Sequence, residues 1–187
     1  MKSRDVFISI LAMKTIILAG GSADRGETAY TRAAFDFGRR VAREGWILRT
    51  GGGSGRSIMG AATDGALSVG GRVEGVILGR FWPVRHRQLH SLKSCATFAL
   101  RKAALFKGAH GAVVFPGGFG TLDELGDLIV LKQYQFIRMP VVLLNLDGYF
   151  DSLLEWIRHA AGEGFLYGGR LFEVARSPSV AIRRLKR

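Results

Sequence analysis

The chain has 187 residues, with 27 Lys+Arg against 15 Asp+Glu, so its formal net charge is +12. Hydrophobic residues at 48% and charged residues at 22% exclude a disordered chain, because this much apolar surface can offset the entropy of ordering. No apolar run reaches the roughly 18 residues of a membrane helix, and the single cysteine, Cys95, cannot form an internal disulfide. A cytoplasmic protein with one core is expected, and Cys95 reads as a small buried hydrophobe.

Residues 1–13 read as an N-terminal extension, dispensable to the fold, and 14–187 as a single domain. Lys2 and Arg4 precede the apolar stretch Val6 to Met13, which loosely resembles a signal peptide but has no clear cleavage site. Thr15 to Ala19 is a short apolar run that ends at Gly20-Gly21-Ser22 and predicts a buried strand. Apolar positions at helical spacing predict a helix over 27–44, stopped by Gly45. Trp46 to Arg49 predicts the second strand, 57–69 a helix with a small inner face, and Val73 to Leu78 the third strand. Residues 79–93 read as a basic loop, with His86 and His90 on its surface, and 94–109 as a helix. Ala112 to Phe115 predicts the fourth strand, about 122–135 a helix, Val141 to Asn145 the fifth strand, and about 150–162 a helix. Ser177 and Pro178 announce a last, basic helix. Strands alternating with helices predict an α/β fold: a doubly wound, Rossmann-like parallel sheet with helices on both faces.

In such a sheet ligands bind at the carboxyl ends of the strands. Three glycine-rich turns are expected there: Gly20-Gly21-Ser22, Gly51-Gly52-Gly53-Ser54-Gly55 and Gly117-Gly118-Phe119-Gly120-Thr121. Each precedes a helix, whose N-terminal N–H groups and dipole favour an anion. Ser22, Ser54 and Thr121 add hydroxyls. The dinucleotide pattern GxGxxG fails after Gly53-Ser54-Gly55, and GxxxxGK[ST] is absent. No metal-ligand spacing occurs, so no metal is expected. Arginine dominates the charge, 20 Arg against 7 Lys, and its planar fork suits phosphate. Seven basic residues and no acid lie between Arg80 and Lys107, and five basic residues and no acid between Arg176 and Arg187.

Residues 116–124 read Pro-Gly-Gly-Phe-Gly-Thr-Leu-Asp-Glu, a full match to PGGxGTxxE, with Arg101-Lys102 upstream. These residues resemble the signature of the Lonely Guy (LOG) family, once labelled possible lysine decarboxylases. The resemblance runs from about residue 15 to 166 and takes in Thr50-Gly-Gly-Gly, Gln133 and Pro140 to Tyr149. It leaves the basic C-terminal stretch outside. The resemblance implies hydrolysis of the N-glycosidic bond of a nucleoside 5′-monophosphate, cytokinin riboside monophosphate or AMP-like. The products are free base and ribose 5-phosphate. It implies that Arg101 and Glu124 are catalytic. Ser22, Gly52, Gly53, Lys102, Gly117, Gly118, Gly120, Thr121 and Asp123 are expected to bind substrate. A homodimer or larger homo-oligomer is implied too, and the apolar helix around Leu128, Ile129 and Leu131 suits either that contact or a monomer core.

Several positions depart from the family pattern. Arg56 and Ser57 lengthen the second glycine turn, no acid lies between Arg80 and Arg101, Asp127 replaces a glutamate and Val130 a threonine. All concern base recognition more than phosphate binding. Two other readings stand beside the hydrolase. One is a non-catalytic nucleotide- or molybdenum-cofactor-binding carrier. The other, a nucleic-acid binder using the basic tail, lacks interleaved aromatics and any recognised motif. Lysine decarboxylation is set aside because nothing marks a pyridoxal-phosphate lysine.

Overall fold

Residues Thr15–Ala19 form β1 and are buried along their whole length, as a strand covered on both faces must be. Ile16 and Leu18 enter one core while Ile17 and Ala19 enter the other, the two-residue alternation of a strand sorting neighbours to opposite faces. The computed structural model describes residues 13–24 and 26–187. The reading of residues 1–12 as a dispensable extension lies outside the described residues.

The remaining elements follow in order: α1 (Ala29–Arg43), β2 (Ile47–Thr50), α2 (Ile58–Leu67), β3 (Val73–Leu78) and β4 (Ser91–Cys95). Then come α3 (Phe98–Phe106), β5 (Gly111–Val114), α4 (Phe119–Gln133), β6 (Val141–Leu144), α5 (Asp151–Gly162), β7 (Glu173–Ala175) and α6 (Pro178–Leu185). The sheet order is β4-β3-β2-β1-β5-β6-β7, and every pairing is parallel. The chain therefore starts in the middle of the sheet, builds out to the β4 edge, then returns to place β5 on the free side of β1. That return is the topological switch point, where loops on either side diverge and leave a crevice.

Helices α1, α2 and α6 cover one face through Phe37, Ala62, Ile182 and Leu185. Helices α3, α4 and α5 cover the other through Leu105, Leu125, Leu128 and Leu154. Where α1 crosses α2 the backbones meet: a Cβ on Gly38 would strike the Ala62 carbonyl, and one on Gly65 the Phe35 carbonyl. Ser57, part of the lengthened second turn, caps α2, its hydroxyl accepting from Gly60 N at 3.0 Å.

Several expectations need correcting. The basic loop 79–93 contains a 3-10 turn over Gly79–Val84 and the start of the edge strand β4, which is paired from Glu74↔Ser91 to Leu78↔Cys95 and so takes the first residues of the helix expected over 94–109. His86 is not a surface residue: it is buried, and its Nε2 lies 2.9 Å from Asp64 Oδ1. Of the two roles left open for the helix around Leu128, the monomer core is the one Leu128 fills, being fully buried. Helix α6 belongs to the core. Ala181, Ile182 and Leu185 are core residues, Arg184 pairs with Glu173, and Lys186 Nζ lies 2.7 Å from Glu44.

Candidate active site

Arg101 sits one turn into α3, whose start is set by Thr97 accepting from Leu100 N at 3.2 Å. Glu124 lies in α4 on the inward face and is buried. Both helices cover the same side of the sheet, so the two side chains meet beneath it. Arg101 Nη1 donates to Glu124 Oε1 at 2.7 Å, and its Nε donates to the Val76 carbonyl of β3 at 3.1 Å. Its third nitrogen, Nη2, occupies space a side chain at position 51 would need; a Gly51 Cβ would lie 2.5 Å from it. Glycine at 51 thus makes room for the guanidinium, a role with no local signal in the sequence.

Burial pushes the Glu124 carboxyl above the usual carboxylate range, and the nearby Arg101 charge opposes that shift. The arrangement is a carboxylate held almost out of water, with one oxygen bonded to a guanidinium. Such a group can stabilise positive charge developing on a sugar and orient water against it.

The glycine turns expected to hold substrate do meet at the carboxyl edge, but not all in the same way. The first and third are joined: Gly21 N donates to Pro116 O at 3.0 Å, and Ile58 N at the start of α2 donates to Gly21 O at 3.2 Å. Gly117 leaves space for Thr121 Oγ1, which a Cβ there would strike. Ser22, Gly118 and Gly120 are exposed at the mouth, and Gly118 caps α4. Tyr149, unforeseen as a site residue, donates its hydroxyl to Gly117 O at 2.8 Å. The second turn is occupied by protein. His86 N donates to Gly52 O at 2.8 Å, Gly53 pairs with Arg85, and Ser54 Oγ donates to Val84 O at 2.8 Å. Gly52 also packs on Gly75 of β3. Its glycine thus serves close strand contact.

Lys102 and Asp123, both expected to contact substrate, are bonded to each other at 2.8 Å, and Asp127 lies 2.9 Å from the same ammonium. Hydrogen bonds that Lys102 donates to Asp123 and then Asp127 raise its pKa. This triad ties α3 to α4 beside the Arg101–Glu124 couple. Among the described residues no group of three His, Cys, Asp or Glu side chains gathers as a metal site would require. A cavity of about 370 Å³ opens at the carboxyl ends of β6 and β7, lined by Asn145, Asp147, Gly148, Asp151 and Arg176. It includes neither Arg101 nor Glu124.

A parallel sheet that reverses at β1 and β5, glycine turns at its carboxyl edge and a buried Arg–Glu couple define a Rossmann-like protein with a candidate site beneath that edge. The family described as "possible lysine decarboxylase" matches residues 59–184, and the chain belongs to that family. The match reaches through most of α6, so the basic C-terminal helix lies inside the family's extent, contrary to the expectation that it fell beyond. A cytokinin riboside 5′-monophosphate phosphoribohydrolase of Arabidopsis thaliana is 35% identical over 155 residues, covering 82% of this chain and 71% of that protein. A second from the same plant is 32% identical over 168 residues, covering 89% and 78%. Among solved structures, the molybdenum cofactor binding protein of Rippkaea orientalis superposes with a TM-score of 0.73 at 23% identity, covering 94% of this chain and 97% of that one. The Moco carrier protein of Chlamydomonas reinhardtii gives 0.71 at 24%, covering 93% and 96%. At those identities the two structures establish the fold they share with this chain.

Proposed function

We propose that this protein hydrolyses the N-glycosidic bond of a nucleoside 5′-monophosphate. The bond from C1′ to the base nitrogen breaks, water supplies the oxygen that joins C1′, and the products are free base and ribose 5-phosphate. The observation that carries this reading is the buried 2.7 Å contact between Arg101 and Glu124. Glu124 stabilises the oxocarbenium-like ribose and aligns water, while Arg101 holds the carboxylate in place and offers N–H donors to ribose or phosphate. The exposed Gly118 and Gly120 at the N-terminus of α4 receive the 5′-phosphate together with Ser22, with Thr121 buried beneath them. Lys102 and Asp123 form the rim beside it. No metal or organic cofactor enters this scheme.

The names of the Arabidopsis relatives support a cytokinin nucleotide as substrate. Val130, Asp127 and the absence of acids between Arg80 and Arg101 leave AMP-like nucleotides on the same footing. We place the protein in the cytoplasm as a homodimer or larger homo-oligomer. No helix among the described residues is long and apolar enough to cross a membrane. Phe98, Leu100 and Phe119 stand exposed beside the site, Phe119 at 91%, and a second copy would cover them.

A panel of nucleoside monophosphates, including AMP and cytokinin riboside monophosphates, tests the proposal through measured base release. At least one is expected to be hydrolysed, with Arg101→Ala and Glu124→Ala each losing at least about 100-fold in kcat/KM. Tight nucleotide binding with no base released would instead favour a non-catalytic carrier.

A further inference from the structure

We propose that Tyr149 is a positioning residue that sets the phosphate-facing N–H groups of the Pro116-Gly117-Gly118 loop; this rests on the hydrolase reading above. Its hydroxyl donates to the Gly117 carbonyl at 2.8 Å across a separation of 32 residues. In a trans peptide the carbonyl and the following N–H point in opposite directions. Holding Gly117 C=O toward Tyr149 therefore turns the Gly118 N–H the other way. The preceding peptide is held likewise, since Pro116 O accepts from Gly21 N at 3.0 Å. Gly118 caps α4 without a side chain, and a Cβ there would meet nothing within 4 Å. Its own packing therefore does little to stop the Gly117–Gly118 peptide from rotating. The tyrosine hydroxyl supplies the missing restraint, where the N–H groups add to the positive end of the α4 dipole.

Tyr149 is itself held firmly. The turn after β6 reverses through Asp147 (φ 50°) and Gly148 (φ 74°), and Tyr149 N donates to Leu146 O at 2.9 Å. Asn145 closes the turn, accepting from Phe150 N at 2.8 Å and donating to Asp151 Oδ1 at 2.7 Å. Tyr30 and Phe150 meet the Tyr149 ring edge-on, with centroids at 5.7 and 4.9 Å. Yet the side chain is 45% exposed, so core burial does not account for a tyrosine here.

The test is Tyr149→Phe in the full chain, which removes the hydroxyl and keeps the ring. KM for the hydrolysed nucleotide and Kd for ribose 5-phosphate are expected to rise together by about 3- to 12-fold, within the range of one lost hydrogen bond, with kcat within about 2-fold. The inhibition constant of the free base and the melting temperature should stay put. Unchanged KM and ribose 5-phosphate Kd in an active enzyme would overturn the proposal and leave the hydrolase reading intact. A weakened base constant together with a lowered melting temperature would also overturn it, marking a general structural role. If the wild type releases no base but binds ribose 5-phosphate, weaker binding by Tyr149→Phe upholds the positioning role while the hydrolase reading fails. A wild type that binds no ribose 5-phosphate sinks both.

Discussion

At the scale of single residues, the site depends on how far Glu124 is removed from water. Its folded pKa is raised by burial, so the ionised form that the proposed mechanism requires is lost as pH falls through a value above the ordinary carboxylate range of about 4.3. The acid limb of kcat/KM should accordingly sit above that value; a limb at or below it would contradict the assignment. The same shift has a sign for stability. A raised folded pKa contributes stability that is present below the unfolded value of about 4.3 and lost as pH rises through the folded one. Glu124→Gln, which keeps an acceptor for Arg101, should therefore melt higher than wild type at pH 7, with the difference shrinking toward pH 4, even as kcat/KM falls about 100-fold or more. Arg101→Lys should fail as well, because a single ammonium replaces the separate Nε and Nη1 that reach Val76 O and Glu124 and lacks the guanidinium's fixed fork. Arg101 and Glu124 were legible because a contiguous motif and its upstream RK pair announce them. Gly51 and Tyr149 were not, since each acts on a partner distant along the chain and neither has a local pattern.

At the scale of elements, five strands were readable as apolar runs because they are covered on both faces. Strand β4 was not. Its sequence SLKSC lies at the sheet edge with four of its five residues outside the core, so nothing selects for apolar side chains there. Strand β7 is three residues long and begins with a glutamate, too little for any periodicity to show. Helix α6 was foreseen from its cap but not its role, since a basic composition conceals the inward stripe of Ala181, Ile182 and Leu185. Leu185→Ala should cost about 2–5 kcal/mol in urea unfolding, whereas Arg183→Ala on the exposed side should stay within about 0.5 kcal/mol. Equal effects would mean that α6 is peripheral after all. The α1–α2 crossing gives a second measure: Gly38→Ala puts a methyl into the Ala62 carbonyl and should destabilise by about 1–3 kcal/mol.

At the scale of the whole molecule, the excess of positive charge is only partly free. Glu173 takes Arg184 and Glu44 takes Lys186, so two of the five C-terminal charges are matched within the fold, while Arg187 at 4.0 Å from Glu173 stays largely in solvent. A net charge of +12 still favours encounter with an anionic nucleotide. Raising ionic strength should lower kcat/KM for the monophosphate, and a flat salt profile would show that the field does not steer it. The sheet order has a further consequence, for biosynthesis. β1 is among the first segments of the fold to leave the ribosome, yet its second neighbour, β5, begins only at Gly111. At about 5–20 residues per second that edge waits roughly 5–20 s for its partner. Throughout that interval the nascent chain exposes an apolar, hydrogen-bonding strand edge, the surface on which unfinished chains join one another. Slower growth at low temperature, or a chaperone that shields the edge, should raise the yield of folded protein more than any change near the catalytic couple.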